Sequence, residues 1–183
     1  MGQETMAVRT KIQNIVLSVT YEDTEFDLEK VLRSLDGTVY KPKRFPGVVY
    51  KSENPRASFL IFSSGKMICA GARSMNDANQ AIRKLTRKLR EAHIKVKTEP
   101  KAKVQNIVAS VNFGRKFDLE HIFSSFENTE YEPEVFPGLV FRLEDPKAVL
   151  LLFVSGKGVC AGTKSIVDVK RAALKISEIL QKH

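Results

Sequence analysis

The sequence predicts an α+β protein built from one unit written twice, and three observations carry that prediction. The pattern apolar strand, Ser-Gly-Lys turn, apolar strand occurs at Ala57–Ala72 (ASFLIFSSGKMICAGA) and returns 91 residues later at Ala148–Thr163 (AVLLLFVSGKGVCAGT). Ile12-Gln-Asn-Ile-Val16 returns as Val104-Gln-Asn-Ile-Val108, Phe26-Asp-Leu-Glu29 as Phe117-Asp-Leu-Glu120, and Phe45-Pro-Gly47 as Phe136-Pro-Gly138. Within each copy the apolar period switches between the 2 of a strand and the 3.6 of a helix. Two long copies imply a pseudo-twofold molecule rather than a solenoid. The division falls at 1–98 and 99–183, with the joint in the charged, proline-bearing segment Lys95–Lys103.

Each copy opens with an alternating strand, in which Ile15, Leu17 and Val19 point one way and Asn14, Val16 and Ser18 the other. A short helix follows, with Asp27 as N-cap and Leu28, Val31, Leu32 and Leu35 at helical spacing; Asp118 and Leu119, Ile122, Phe123 and Phe126 repeat it. Strands Thr38–Lys41 and Val48–Lys51 then flank the Phe-Pro-Gly bend, and the Ser-Gly-Lys hairpin turns on Gly65 or Gly156. A long helix closes the copy. It starts at Ser74 with Asp77, or Ser165 with Asp168, and carries the stripe Ala78, Ala81, Ile82, Leu85, Leu89 or Val169, Ala172, Ala173, Ile176, Leu180. Each repeat is therefore β-α-β-β-β-β-α.

Composition narrows the function. The chain has 183 residues, 43% hydrophobic and 28% charged, which is ordinary for a folded protein. Its net charge is +9, concentrated in Met1–Pro100. That excess either serves solubility alone or favours a polyanionic partner, nucleic acid or an anionic membrane surface. No apolar run approaches a membrane span and Met1–Thr10 has no signal core, so an intracellular protein with no membrane partner is expected. Cys69 and Cys160 occupy equivalent hairpin positions and fit buried thiols in a reducing compartment.

The hairpin strands are apolar on both faces. Phe59 and Ile61 oppose Leu60 and Phe62; Leu150 and Leu152 oppose Leu151 and Phe153. Two helices per repeat cover one side of such a sheet, which leaves the other side bare. Two readings remain: the bare faces stack on each other, or they form a binding surface. Basic residues at strand ends and turns favour the second. They are Arg44, Lys51, Arg56, Lys66 and Arg73 in the first repeat and Arg142, Lys147, Lys157 and Lys164 in the second. An apolar floor with a cationic rim able to meet phosphates suits a minor groove, where apolar wedges are used and the acceptor pattern is degenerate.

Here the residues resemble a known family. IQNIV, YKPKRFPGVVY and FLIFSSGKMICAGA, then VQNIVASV, YEPEVFPGLVFR and LLLFVSGKGVCAG, are similar to the TATA-box-binding protein core over about Ile12 to Leu180. The resemblance implies a saddle: one curved ten-stranded antiparallel sheet with four helices on its convex face. It implies that Phe45, Phe62, Phe136 and Phe153 are intercalating residues. Asn14 and Asn106 would bond minor-groove acceptors, with Val16, Leu60, Ile68, Ala70, Val108, Leu151, Val159 and Ala161 as the apolar contacts around them. Ala70 and Ala161 stand where the family often has Thr, so a hydroxyl contact is missing there. Phe-Pro-Gly in the first repeat and the short N-terminal segment look archaeal, which places the protein in the cytoplasm at the nucleoid; a eukaryotic member would be nuclear.

The two bends differ in charge. Lys41, Lys43 and Arg44 mark the first; Glu130, Glu132 and Glu134 mark the second. In the family the second bend receives transcription factor B, so Glu132, Glu134 and Val135 are expected to hold it and, through the promoter complex, RNA polymerase. A dimer in the absence of DNA is a further expected partner state.

Three functions compete: a DNA-bending initiation factor, an enzyme acting on DNA, and a protein-binding scaffold. His93, His121 and His183 are scattered, and Ser-Ser-Gly-Lys lacks the upstream glycine and following Ser or Thr of a phosphate-binding loop. The expectation is therefore a DNA-bending factor without catalysis, metal or cofactor.

Overall fold

The computed structural model describes residues 7–183. The elements run β1 (Arg9–Thr20), α1 (Leu28–Ser34), β2 (Thr38–Val39), β3 (Val48–Glu53), β4 (Arg56–Ile61), β5 (Lys66–Ala72) and α2 (Met75–Glu91), then β6 (Lys101–Asn112), α3 (Leu119–Ser125), β7 (Thr129–Glu130), β8 (Leu139–Glu144), β9 (Lys147–Leu152), β10 (Lys157–Thr163) and α4 (Ile166–Gln181). The β-α-β-β-β-β-α order thus occurs twice. The ten strands make one open antiparallel sheet in the order β2-β3-β4-β5-β1-β6-β10-β9-β8-β7, accompanied by four helices.

Compactness divides the described residues into a first unit, Asn14–Gln105, and a second unit of Asn106–His183 with residues 7–13. Each unit therefore draws on the leading strands of both repeats. Lys101 and Lys103, which the sequence places in a linker, lie in β6. Their charge hides the strand because they sit on exposed positions, where alternation puts no constraint on polarity.

In the first unit the covered face of the sheet holds Ile15, Leu17, Val19, Val48, Tyr50, Phe59, Ile61, Met67 and Cys69, all at most 3% exposed. The five stripe residues of α2 are buried with them. Asp27 caps α1 by accepting from the Glu29 and Lys30 N–H groups, and Ser74 caps α2 by accepting from the Asp77 N–H. Tyr21, at the end of β1, meets the Thr86 hydroxyl of α2 at 2.8 Å. Burial raises the Tyr21 phenol to about 12.

The second unit repeats this core with Ile107, Ala109, Val111, Leu139, Phe141, Leu150, Leu152 and Cys160 beneath α3 and α4. Two sequence expectations need correction. Helical spacing puts Phe123 in the buried stripe of α3, but it is 46% exposed, with its ring beside Tyr131 at 6.4 Å. A helix of 7 residues has only two turns, so Leu119 and Ile122 fill its buried side. The strand after α1 is 2 residues long, not four, because Tyr40-Lys41 leads into the bend before Pro42. Both edge strands, β2 and β7, are this short, which leaves little backbone open to pairing.

Candidate nucleic-acid interface

Opposite the helices, each unit presents a continuous second face. In the first unit, register aligns Val49, Leu60, Ile68 and Ser18 in one row across β3, β4, β5 and β1. The next row contains Lys51, Ser58 and Ala70. In the second unit the rows are Val140, Leu151, Val159, Ser110 and Arg142, Val149, Ala161. Val16, Leu60, Ala70, Val108, Leu151, Val159 and Ala161 are all half-buried, and Ile68 is 37% exposed. None is sealed. Val49 and Val140 belong to the same floor. The hairpin pattern does not reveal them, because they lie on the strand before it.

Asn14 and Asn106 stand at the same place in each unit. Asn14 Oδ1 accepts the Gly71 N–H at 2.7 Å, and Asn106 Oδ1 accepts the Gly162 N–H at 2.8 Å. A backbone N–H only donates, so each amide must turn its oxygen inward and its NH₂ donors outward. The glycines make this possible. β5 gains a residue over β1 between Ile15 and Leu17, and β10 over β6 between Cys160 and Thr163. Gly71 and Gly162 sit in these bulges at φ of +89° and +86°, a conformation that favours glycine.

Two aromatic pairs border the floor. Phe45 and Phe62 lie edge to face with centroids 5.7 Å apart, and Phe136 and Phe153 at 5.9 Å. Phe45 is 36% and Phe136 40% exposed; Phe62 and Phe153 are half-buried. The bend that delivers Phe45 is closed by the Lys41 carbonyl, which accepts from the Arg44 and Phe45 N–H groups; Glu132 does the same for Val135 and Phe136. The hairpin turn delivers the other ring, with the Phe62 N–H donating to the Lys66 carbonyl and the Phe153 N–H to that of Lys157.

Glycine also explains the Phe-Pro-Gly spelling of both bends. A Cβ on Gly47 would lie 2.9 Å from Phe45 Cε1 and 3.1 Å from Phe62 Cε1. On Gly138 the distances to Phe136 Cε1 and Phe153 Cε1 would be 2.6 and 2.9 Å. The rings rest on bare backbone and fill the space a side chain would need.

The rim cations Arg44, Lys51, Arg56, Lys66, Arg73, Arg142, Lys147, Lys157 and Lys164 are all exposed. Arg142 is held by Glu130 at 3.1 Å. Glu132, Glu134 and Val135 are exposed on the second bend, Val135 at 79%. Arg9 and Lys11 join the rim without having been expected there. They line a cavity of about 600 Å³ with Ser110, Phe153, Lys157 and Val159 of the second unit. No signal inside one repeat points to them, since their strand segment completes the other unit.

Among the described residues no group of three or more His, Cys, Asp or Glu side chains could hold a metal ion, and no helix is long and apolar enough to cross a membrane. The donors, apolar floor and cationic rim suit recognition of a polyanion with acceptors on its inner edge.

Comparison with known proteins agrees with that geometry. The sequence profile described as "Transcription factor TFIID (or TATA-binding protein, TBP)" matches residues 9–92 and 101–183. A TATA-box-binding protein of Pyrococcus abyssi is 43% identical over 180 residues, covering 98% of this chain and 94% of the relative. One of Methanothermobacter thermautotrophicus is 48% identical over 163 residues, covering 89% and 90%. Among solved structures, Methanococcus jannaschii TBP superposes with a TM-score of 0.89 at 44% identity, covering 96% of this chain and 99% of that one.

Proposed function

Because the chain belongs to the TATA-binding protein family, we propose that it is a general initiation factor that binds TATA-element duplex DNA through the minor groove, wedges it open and recruits transcription factor B. Its relatives are named for DNA binding and not for catalysis, and the protein is not an enzyme. The observation that carries the DNA reading is the inward pinning of the Asn14 and Asn106 oxygens by the Gly71 and Gly162 N–H groups.

The recognition chemistry follows from that pinning. A·T and T·A pairs expose only acceptors in the minor groove, adenine N3 and thymine O2, and the outward amide NH₂ groups donate to them. A G·C pair adds the guanine N2 amino donor. It would meet a second donor or the apolar floor of Val16, Leu60 and Ile68, and an unpaired buried donor costs about 1–3 kcal/mol. A·T preference therefore needs no major-groove contact.

The Phe pairs supply the mechanical step. Each pair would enter one base step, Phe62 or Phe153 from the hairpin turn and Phe45 or Phe136 from the bend. Minor-groove wedging by apolar side chains is a property for which this family is itself the standard example, and that precedent supports the step here. Pyrimidine–purine steps such as TA unstack most cheaply and would be chosen for deformability. The exposed cations would then neutralise the backbone brought against the rim. The exposed Glu132, Glu134 and Val135 would meet transcription factor B, and RNA polymerase would follow through that complex.

A TATA duplex carrying a dye at each end tests the reading. Titration should shorten the end-to-end distance and show a log–log salt slope of roughly −0.9 per phosphate neutralised. Phe62→Ala and Phe153→Ala should weaken binding with the melting temperature preserved. Binding without shortening would overturn the wedging step; no binding at low salt would overturn the DNA reading and favour a protein scaffold.

A further inference from the structure

The second unit carries a cationic groove whose counterpart in the first unit has one of its lysines paired with a carboxylate. Val8 packs on the buried core of the second unit, and Gln13 Nε2 donates to the Ser110 hydroxyl of the open face at 3.1 Å. Alternation between these two anchors puts Arg9 and Lys11, like Gln13, on the open side. There they line the cavity with Phe153, Ser155 and Lys157. Among the described residues no ion pair engages Arg9, Lys11 or Lys157.

The equivalent positions in the first unit are Lys101 and Lys103, on the strand whose Gln105 donates to the Ser18 hydroxyl at 2.9 Å. Here one of the two charges is answered. Lys101 Nζ lies 2.8 Å from Glu22 Oε1, in a loop that also holds Asp23 and Glu25. The matching loop of the second unit has Gly114 in place of Glu22, followed by Arg115 and Lys116. The Arg115 backbone carries the turn between Ser155 and Lys157, since a Cβ on Gly156 would run into the Arg115 carbonyl oxygen. An exposed pair such as Lys101–Glu22 stabilises little. Its consequence is local: a carboxylate stands where an anion would have to come.

Resting on the DNA reading above, we propose that Arg9 and Lys11, with Lys157, bind backbone phosphates flanking the step that Phe153 enters, and that Lys101, the first-unit counterpart of Arg9, makes no equivalent contact. The DNA is then gripped more strongly, and with greater salt dependence, at the second unit. The occupant is a phosphodiester backbone because the groove offers several spaced cations beside an aromatic wedge, and because at its mirror position a carboxylate already holds the matching lysine.

The test is the slope of log affinity against log salt for the full chain on a TATA duplex. Arg9→Ser/Lys11→Ser should reduce the slope by about 1.8, or roughly 0.9 for each phosphate no longer neutralised. Lys101→Ser should leave it unchanged. Glu22→Ser, which leaves Arg9 and Lys11 in place, should raise it by roughly 0.9 by freeing Lys101. An unchanged slope in the double variant, or an equal fall in Lys101→Ser, overturns the proposal while wild-type binding leaves the DNA reading standing. Failure of the wild-type chain to bind the duplex would instead overturn the reading on which the groove rests.

Discussion

The Asn14 side-chain oxygen accepts the backbone N–H of Gly71 at 2.7 Å, and this bond decides what the amide can offer a ligand. Asn14→Asp keeps an acceptor for Gly71 but turns a second acceptor, now charged, toward the groove. TATA binding should fall by roughly 10- to 100-fold, the scale of an unsatisfied buried polar group. A duplex with a central G·C pair should lose less, since a carboxylate can accept from the guanine amino group. Competition between the two duplexes checks this; equal losses on both would remove Asn14 from base recognition.

The bends make a second prediction through backbone rather than ring chemistry. Gly138 lacks a positive φ, so alanine there strains no dihedral, yet its Cβ would fall 2.6 Å from Phe136 Cε1. The rings must move, at an overpacking cost of about 1–3 kcal/mol. Part of that cost is relieved because both rings are partly open to solvent. Gly138→Ala should therefore stay folded and bind TATA DNA with a smaller shortening of the labelled duplex. A variant that bends DNA as the wild type does would show that ring placement is not limiting.

Much of the floor is legible in the sequence because strand alternation separates Leu60 from Phe59 and Val16 from Leu17 by one residue each. The same rule fails where the local context changes. Gly71 looks like one small residue among several, and only the bulge shows that its N–H orients Asn14. Phe123 matches the helical period, but no period states how short the helix will be. Arg9 and Lys11 are invisible for a topological reason. A repeat read by itself contains no record that its leading strand finishes the other unit.

Alkaline pH should weaken the fold through three buried groups. Burial raises the Cys69 and Cys160 thiols from 9.0 to about 11, and the Tyr21 phenol from 10.0 to about 12. Each is neutral when protonated, so the unfolded chain releases its proton first as pH rises. Stability is thus intact below about pH 9 and declines through pH 11 to 12, by about 1.4 kcal/mol per pH unit between a group's two values. Melting curves should show that decline, and Tyr21→Phe should remove the part that begins near pH 10. A melting temperature level to pH 11 would contradict the prediction.

The charge contrast between the bends predicts a separable effect on partner binding. Glu132 and Glu134 are exposed, whereas Glu130 is engaged with Arg142. The Glu132 carbonyl, not its side chain, closes the turn that places Phe136. Glu132→Arg therefore alters the surface without disturbing the aromatic pair. Binding and bending of TATA DNA should match the wild type or rise slightly at low salt. Transcription factor B recruitment to the DNA complex should fall roughly 10-fold or more, since reversing a charge at a complementary contact costs several kcal/mol only when that contact exists. A gel-shift titration with the factor reads both quantities together, and undiminished recruitment would move the partner to another surface.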